Sequence, residues 1–127
     1  AKDRKEAFKW YKLAAEQGIA KAQHVMGYAY AKDNGEFVTQ DYKEALKWYK
    51  LAAEQGNLES QLILSRYYYL GRGVIKDHKE GFKWQKLAAE QGNAKAQNNI
   101  GGAYFAGRGT LQDYLMAHIW LNIASAN

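Results

Sequence analysis

This sequence predicts an all-α fold, an α/α solenoid or superhelix of helix-turn-helix repeats, and three observations carry the prediction. A ten-residue phrase occurs three times: residues 9–18 and 47–56 read KWYKLAAEQG, and residues 83–92 read KWQKLAAEQG. Four aspartates, Asp3, Asp41, Asp77 and Asp113, open equivalent segments spaced 38, 36 and 36 residues apart. Between them two helical patterns alternate, one built around a Trp and one opening on an Ala-Gln phrase or a variant of it. A fixed period of this size marks stacked supersecondary units, each burying its apolar face on its neighbours. The expected organisation is a single solenoid segment, residues 1–127. It has an unpaired first helix over about 3–17 and then helix pairs over about 20–55, 58–91 and 94–127.

The elements follow in order. Asp3, with Glu6 three residues on, reads as an N-cap and capping box for the first Trp-type helix, which stops before Gly18. An Ala-Gln helix runs from about Ala20 to Ala31, with Gly27 in its middle. Two extra residues, Asp33 and Asn34, precede Gly35 and account for the longer first spacing. The next Trp-type helix repeats the cap at Asp41 and Glu44. It places Ala45, Tyr49 and Ala52 on one face, widened by Trp48 and Leu51, and stops before Gly56. The middle Ala-Gln helix covers about 58–70, with Ser60, Leu64, Tyr67 and Tyr68 at helical spacing and Ser65 in the glycine slot. Gly71-Arg72-Gly73 follows. It is copied at Gly107-Arg108-Gly109, and turns needing φ > 0 account for it better than an anion-binding nest does. The third Trp-type helix starts at the Asp77/Glu80 cap and stops before Gly92; the third Ala-Gln helix spans about Ala94–Ala106, with Gly101 in its middle. A mid-helix Gly costs about 1 kcal/mol against Ala, so close helix approach is the expected compensation at Gly27 and Gly101. The closing segment keeps Asp113, Ala117 and Trp120.

Composition narrows the functional classes. There is no Cys, which excludes disulfides and thiolate metal sites. No apolar run approaches the ~20 residues of a membrane helix, so no membrane insertion is expected. The net charge of +5 and pI near 9.3 raise nucleic-acid binding as an alternative. The charge is spread by register instead: residues 1–40, 41–76 and 77–112 each carry +2 and the last segment −1, as a solvated helix face repeated in each copy would give. His24, His78 and His118 occupy unrelated repeat positions, with no carboxylate at ligand spacing on a shared face. No cofactor, metal or catalytic set is read from the chain. Trp10, Trp48, Trp84 and Trp120 recur in register, as packing residues do.

Read together, the motifs resemble the Sel-one-like repeats, relatives of the tetratricopeptide repeat. The pattern A-x-A-Q-x-x-L-G-x-x-Y with a G-x-G loop appears as AKAQNNIGGAYFAGRGTLQD in residues 94–113. The pattern D-x-x-K-A-x-x-W-Y-x-x-A-A-E-Q-G appears as DHKEGFKWQKLAAEQG in residues 77–92. Departures are Gln85 for Tyr, Gly81 for Ala, Ser65 and Arg66 for Leu-Gly, and Leu121 for Tyr. The resemblance implies a non-enzymatic adaptor of the kind found in bacterial envelope, secretion or host-contact systems; the sequence leaves the compartment open, and a bacterial source would favour the periplasm or secretion over the cytoplasm. A catalytic role, as a cell-wall-ligand-related enzyme, ranks below nucleic-acid binding as an alternative. By the same resemblance the Ala-Gln helices line the concave surface, where a protein or peptide partner would bind. The groove positions are Lys21, His24, Tyr28 and Lys32; then Glu59, Leu62, Arg66, Tyr69 and Leu70; then Lys95, Asn98, Gly102 and Phe105. Arg66, Tyr69 and Leu62 are expected as an exposed cluster, and Met26, Leu64 and Ile100 as core. The chain opens inside a repeat, so earlier repeats are expected, and Ala7, Phe8, Tyr11 and Ala14 should be partly bare and favour end-to-end self-association.

Overall fold

The computed structural model describes residues 2–33 and 35–127; the inserted Asn34 lies outside them. Seven helices make up the described residues: α1 (Lys2–Glu16), α2 (Ala20–Ala31), α3 (Tyr42–Glu54), α4 (Leu58–Leu70), α5 (His78–Glu90), α6 (Ala94–Ala106) and α7 (Tyr114–Ala126). Each packs on the helix before and after it in the chain, giving the expected all-α stack.

The caps explain where helices begin. Asp41, Asp77 and Asp113 accept backbone N–H bonds from Glu44, Glu80 and Met116 at 3.1, 3.1 and 3.0 Å. The reciprocal half of a capping box is absent. The N–H groups of Asp41, Asp77 and Asp113 donate instead to the carbonyls of Tyr30, Tyr68 and Tyr104 in the preceding helix. Glu44 and Glu80 turn to Lys47 and Lys83, at 3.5 and 3.6 Å. Each aspartate thus ties two helices together, which a local motif does not reveal. Asp3 is no cap: α1 begins at Lys2, so Asp3 lies within its first turn. Asn57 and Asn93 cap α4 and α6 through the Ser60 and Ala96 N–H groups.

A ladder of buried glutamines holds the repeats in register. Gln23, Gln61 and Gln97 of the Ala-Gln helices are buried, and their amides donate to the carbonyls of Ala15, Ala53 and Ala89 near the ends of the preceding Trp-type helices. Their side-chain oxygens are filled from the next repeat: Gln55 Nε2 donates to Gln23 Oε1, and Gln91 Nε2 to Gln61 Oε1, both at 2.8 Å. The same amides of Gln55 and Gln91 also reach the Gly18 and Gly56 carbonyls. Asn127 takes this part for Gln97 at the last step. Gly18, Gly56 and Gly92 bend the chain at φ +94°, +94° and +96°, so that these carbonyls face the next glutamine.

The tryptophans pack between repeats as expected. Trp48 lies on Ala15, Ala22 and Met26, and Trp84 on Ala53, Leu64 and Tyr68. Trp84 is 4% exposed whereas Trp10, on α1, is 60% exposed. The Nε1 groups of Trp48, Trp84 and Trp120 are enclosed without a hydrogen-bond partner among the described residues. Ala7, Phe8, Tyr11 and Ala14 are all at least partly exposed, Phe8 stacking on Phe37 at 5.1 Å.

Mid-helix small residues serve close approach. A Cβ on Gly27 would sit 2.7 Å from the Tyr49 ring, and one on Gly101 2.7 Å from Leu121. Between α4 and α5 the same site is solved differently. Ser65 replaces Gly and Gln85 replaces Tyr, with Ser65 Oγ 2.7 Å from the Gly81 carbonyl and 2.9 Å from Gln85 Oε1. The ring is supplied from α4 by Tyr69, which lies so close over Gly81 that a Cβ there would meet it at 2.9 Å. The sequence departures at positions 65, 81 and 85 are therefore one compensated set with Tyr69.

Gln61→Leu should destabilise the protein by about 1–3 kcal/mol in chemical denaturation, because it removes one buried and one partly buried hydrogen bond. Gly92→Val should lower the melting temperature in calorimetry, costing roughly 1–2 kcal/mol: nothing lies within 4 Å of an added Cβ, and the penalty comes from the left-handed backbone.

Candidate functional site

The Ala-Gln helices α2, α4 and α6 stand side by side and carry the residues expected to face a groove. Met26, Leu64 and Ile100 point away from that face and are fully buried, as the helical spacing predicts. Two adjoining clefts open between α4 and α6. One, of about 290 Å³, is lined by Leu62, Arg66, Tyr69, Leu70, Gln85, Lys95 and Asn99. The other, of about 380 Å³, is lined by Tyr69, Gln85, Asn98, Asn99, Gly102, Ala103 and Arg108. They share Tyr69, Gln85 and Asn99, so they form one groove with walls from α4 and α6 and a floor from α5.

The structure thus brings together seven predicted positions: Leu62, Arg66, Tyr69, Leu70, Lys95, Asn98 and Gly102. It leaves out others. Lys21, Tyr28 and Lys32 are exposed on α2 but line none of these clefts, and Lys32 Nζ sits 6.0 Å from the Tyr28 ring. Phe105 turns to α7 and lies against Tyr114 at 5.3 Å. Gln85, Asn99 and Arg108 were missed. Gln85 belongs to the neighbouring Trp-type helix and Arg108 to the loop after α6, so reading the face of one helix finds neither. The expected exposed cluster is also corrected in part. Arg66 is exposed, but Leu62 and Tyr69 are half-buried against the core that contains Phe82 and Ile100. Tyr69 therefore has a structural task as well as a place in the groove wall. Burial pushes its phenol pKa up, and Arg108 opposes that shift.

The groove between α2 and α4 is built from the same positions one repeat earlier, and it is bridged. His24 Nδ1 is 2.8 Å from Ser60 Oγ, and His24 Nε2 is 3.3 Å from the Glu59 carboxylate. The sequence shows no carboxylate at ligand spacing on the face His24 shares, and these partners lie on a different helix, 35 and 36 residues away in the chain. Serine, histidine and carboxylate in contact do not make a nucleophile here, because Ser60 is fully buried. Burial lowers the His24 pKa from its usual value, and Glu59 offsets this only partly. Among the described residues no group of three or more His, Asp or Glu side chains is arranged to hold a metal ion.

A larger cleft, of about 670 Å³, lies on the other helix type, among Lys79, Glu80, Phe82, Lys83, Lys86 and Leu111. It recurs in register at Lys5, Glu6, Phe8, Lys9, Lys12 and Phe37, with about 550 Å³. It reflects the repeat geometry and mixes both signs of charge.

The Sel1 repeat family model matches residues 1–19, 20–57, 58–93 and 94–127. No curated protein matches the chain. Among solved structures, an Escherichia coli protective antigen with an SLR fold, c5321, is 45% identical with a TM-score of 0.84, over 94% of this chain and 25% of its own. A Sel1 repeat protein from Oxalobacter formigenes is 38% identical with a TM-score of 0.81, over 96% of this chain and 49% of its own. Cysteine rich protein B of Helicobacter pylori shares the fold, with a TM-score of 0.69 at 18% identity, over 98% of this chain and 88% of its own. The chain thus spans about a quarter and about half of the first two proteins.

Because His24 is held neutral by burial, the unfolded chain takes up its proton at higher pH than the folded one. Stability should therefore fall as pH drops from about 7 to 5, where an ordinary histidine titrates. His24→Gln should flatten that part of a melting-temperature profile. In a second experiment, Gly81→Ala should destabilise the native protein by about 1 kcal/mol through the Tyr69 clash. It should become neutral or stabilising in a Tyr69→Ala background, where only the helix-propensity gain remains. Denaturation of the four variants in the double-mutant cycle measures this.

Proposed function

This chain belongs to the Sel1 repeat family, and from that premise we propose that it is a protein-interaction scaffold whose Ala-Gln helices form the receiving groove for an extended protein or peptide segment. Sel1 repeats typically mediate protein interactions, and the family is generally non-catalytic. The observation that carries the groove assignment is the division of labour between helix types. The Trp-type helices repeat nearly unchanged, with their shared positions committed to the glutamine ladder and tryptophan packing. The outer positions of α2, α4 and α6 differ from copy to copy, and those of α4 and α6 line an open groove. That wall mixes an arginine, an aromatic ring and leucines, a composition enriched at protein-binding hot spots.

Panning a displayed random-peptide library on the immobilised chain tests this. Specific peptides should be enriched, and their binding should slow amide exchange in α4 and α6. Failure to enrich any peptide, or protection confined to α3 and α5, would overturn the reading. Arg66→Ala should weaken the selected peptides by about 1–3 kcal/mol without moving the melting temperature, since Arg66 is exposed and joins no ion pair among the described residues. Tyr69→Ala should lower both affinity and stability.

A further inference from the structure

We infer that the groove between α4 and α6 takes an acidic peptide segment about six residues long, with carboxylates held at both ends. The inference rests on the scaffold reading and names the chemistry of the partner.

The first support is charge. Arg66 and Lys95 line one end of the groove and Arg108 the other, with no acidic residue in either lining. None of the three makes an ion pair among the described residues, whereas Arg4, Lys47 and Lys83 pair with Glu36, Glu44 and Glu80. Three unpaired cations around one concavity attract an anionic occupant.

The second support is comparison with the groove one repeat earlier. Lys95 stands where Glu59 stands there, and Leu62 stands where His24 does. The earlier pair bridges α2 to α4 at 3.3 Å; the later pair has no attraction to close the gap, and the sign of the wall is inverted. Arg108 differs from its counterpart in the same way. Arg72 lies over the Tyr42 and Tyr67 rings, at 5.0 and 5.9 Å. At the corresponding places Arg108 finds His78 and Ala103, and no such stacking holds it.

The third support is the floor. Where Tyr49 fills the earlier groove over Gly27, Gln85 lies here, 8% exposed. One end of its amide is engaged by Ser65. Whichever way the Ser65 proton points, the other end has no partner among the described residues and opens into the groove. A nearly buried amide left half-matched is suited to a peptide-backbone group, and Asn98 and Asn99 on the wall add further amides.

Length follows from the geometry. Lys95 and Arg108 are separated by one helix, roughly 20 Å at about 1.5 Å per residue, and an extended chain covers that in about six residues at ~3.3 Å each. The cations alternate with Leu62, Tyr69 and Leu70 and form no continuous row of the kind a phosphate backbone uses.

The test uses the whole chain and two hexapeptide libraries, one with Glu at the first and last positions and four random positions, the other with Gln in place of Glu. The Glu library should bind at least about tenfold more tightly and weaken with added salt. Lys95→Glu, which installs the residue found at the corresponding Glu59, and Arg108→Ala should each reduce binding by about tenfold. Lys83→Glu, an equal charge change on the opposite helix type, should not. Equal binding of the two libraries, or an equal loss with Lys83→Glu, overturns the inference. So does a single-stranded oligonucleotide that binds more tightly than the Glu library and loses affinity with Lys95→Glu. Unbiased library peptides that bind without acidic residues and ignore Lys95→Glu leave the scaffold standing and remove this inference; if no peptide of any kind binds, both fall.

Discussion

The stack depends on how it satisfies the ends of its Trp-type helices. The Ala15, Ala53 and Ala89 carbonyls at these ends already accept the Gly18, Gly56 and Gly92 N–H groups, and each has a second lone pair to offer the next helix. The chain answers with amides. Gln23, Gln61 and Gln97 donate to the ends of α1, α3 and α5, and each is itself filled by a residue one repeat further on. One interaction therefore joins three helices and transmits register along the chain. It explains why the Ala-Gln phrase and the Glu-Gln-Gly phrase recur together, and why the glycine between them is invariant across the copies. The glycine turns the chain so that its own carbonyl meets the next repeat's glutamine.

What was legible in the sequence is what depends on local or periodic information. Helix number and type, the glycine stops and the core assignments of Met26, Leu64 and Ile100 all follow from spacing within one repeat. What was not legible lies between helices. The aspartate caps looked complete as local boxes, yet their N–H groups go to the previous helix. His24 looked isolated because Glu59 and Ser60 reach it only through stacking. Ser65, Gly81 and Gln85 read as three lapses from a pattern. In space they and Tyr69 exchange one ring for another: the aromatic that α3 supplies as Tyr49 is supplied by α4 as Tyr69.

The candidate site shares this limit. The face of each Ala-Gln helix could be read from its period, which put Leu62, Arg66, Leu70, Lys95 and Asn98 on the face that lines the cleft. A groove, however, has a floor and ends as well as walls. Its floor comes from α5 and one end from a loop, so Gln85 and Arg108 carry no signal in the period of an Ala-Gln helix. Phe105 had the right period but a nearer partner in Tyr114.

The ring exchange and the groove are physically the same event. In the earlier repeat Tyr49 rises from the Trp-type helix into the space over Gly27, and the floor is full. Moving the aromatic to Tyr69 puts it on the groove wall, and the vacated floor position holds a shorter, polar Gln85. Gly81 makes room for the displaced ring, and Ser65 engages one end of the amide, leaving the other for whatever enters. Ala at 81 would strike the Tyr69 ring, and Tyr at 85 would give up the amide contact with Ser65. A repeat that gives up the common pattern at four coupled positions keeps its packing and gains an open polar floor. Packing alone does not require that floor, because the neighbouring repeat fills the same position with the buried ring of Tyr49.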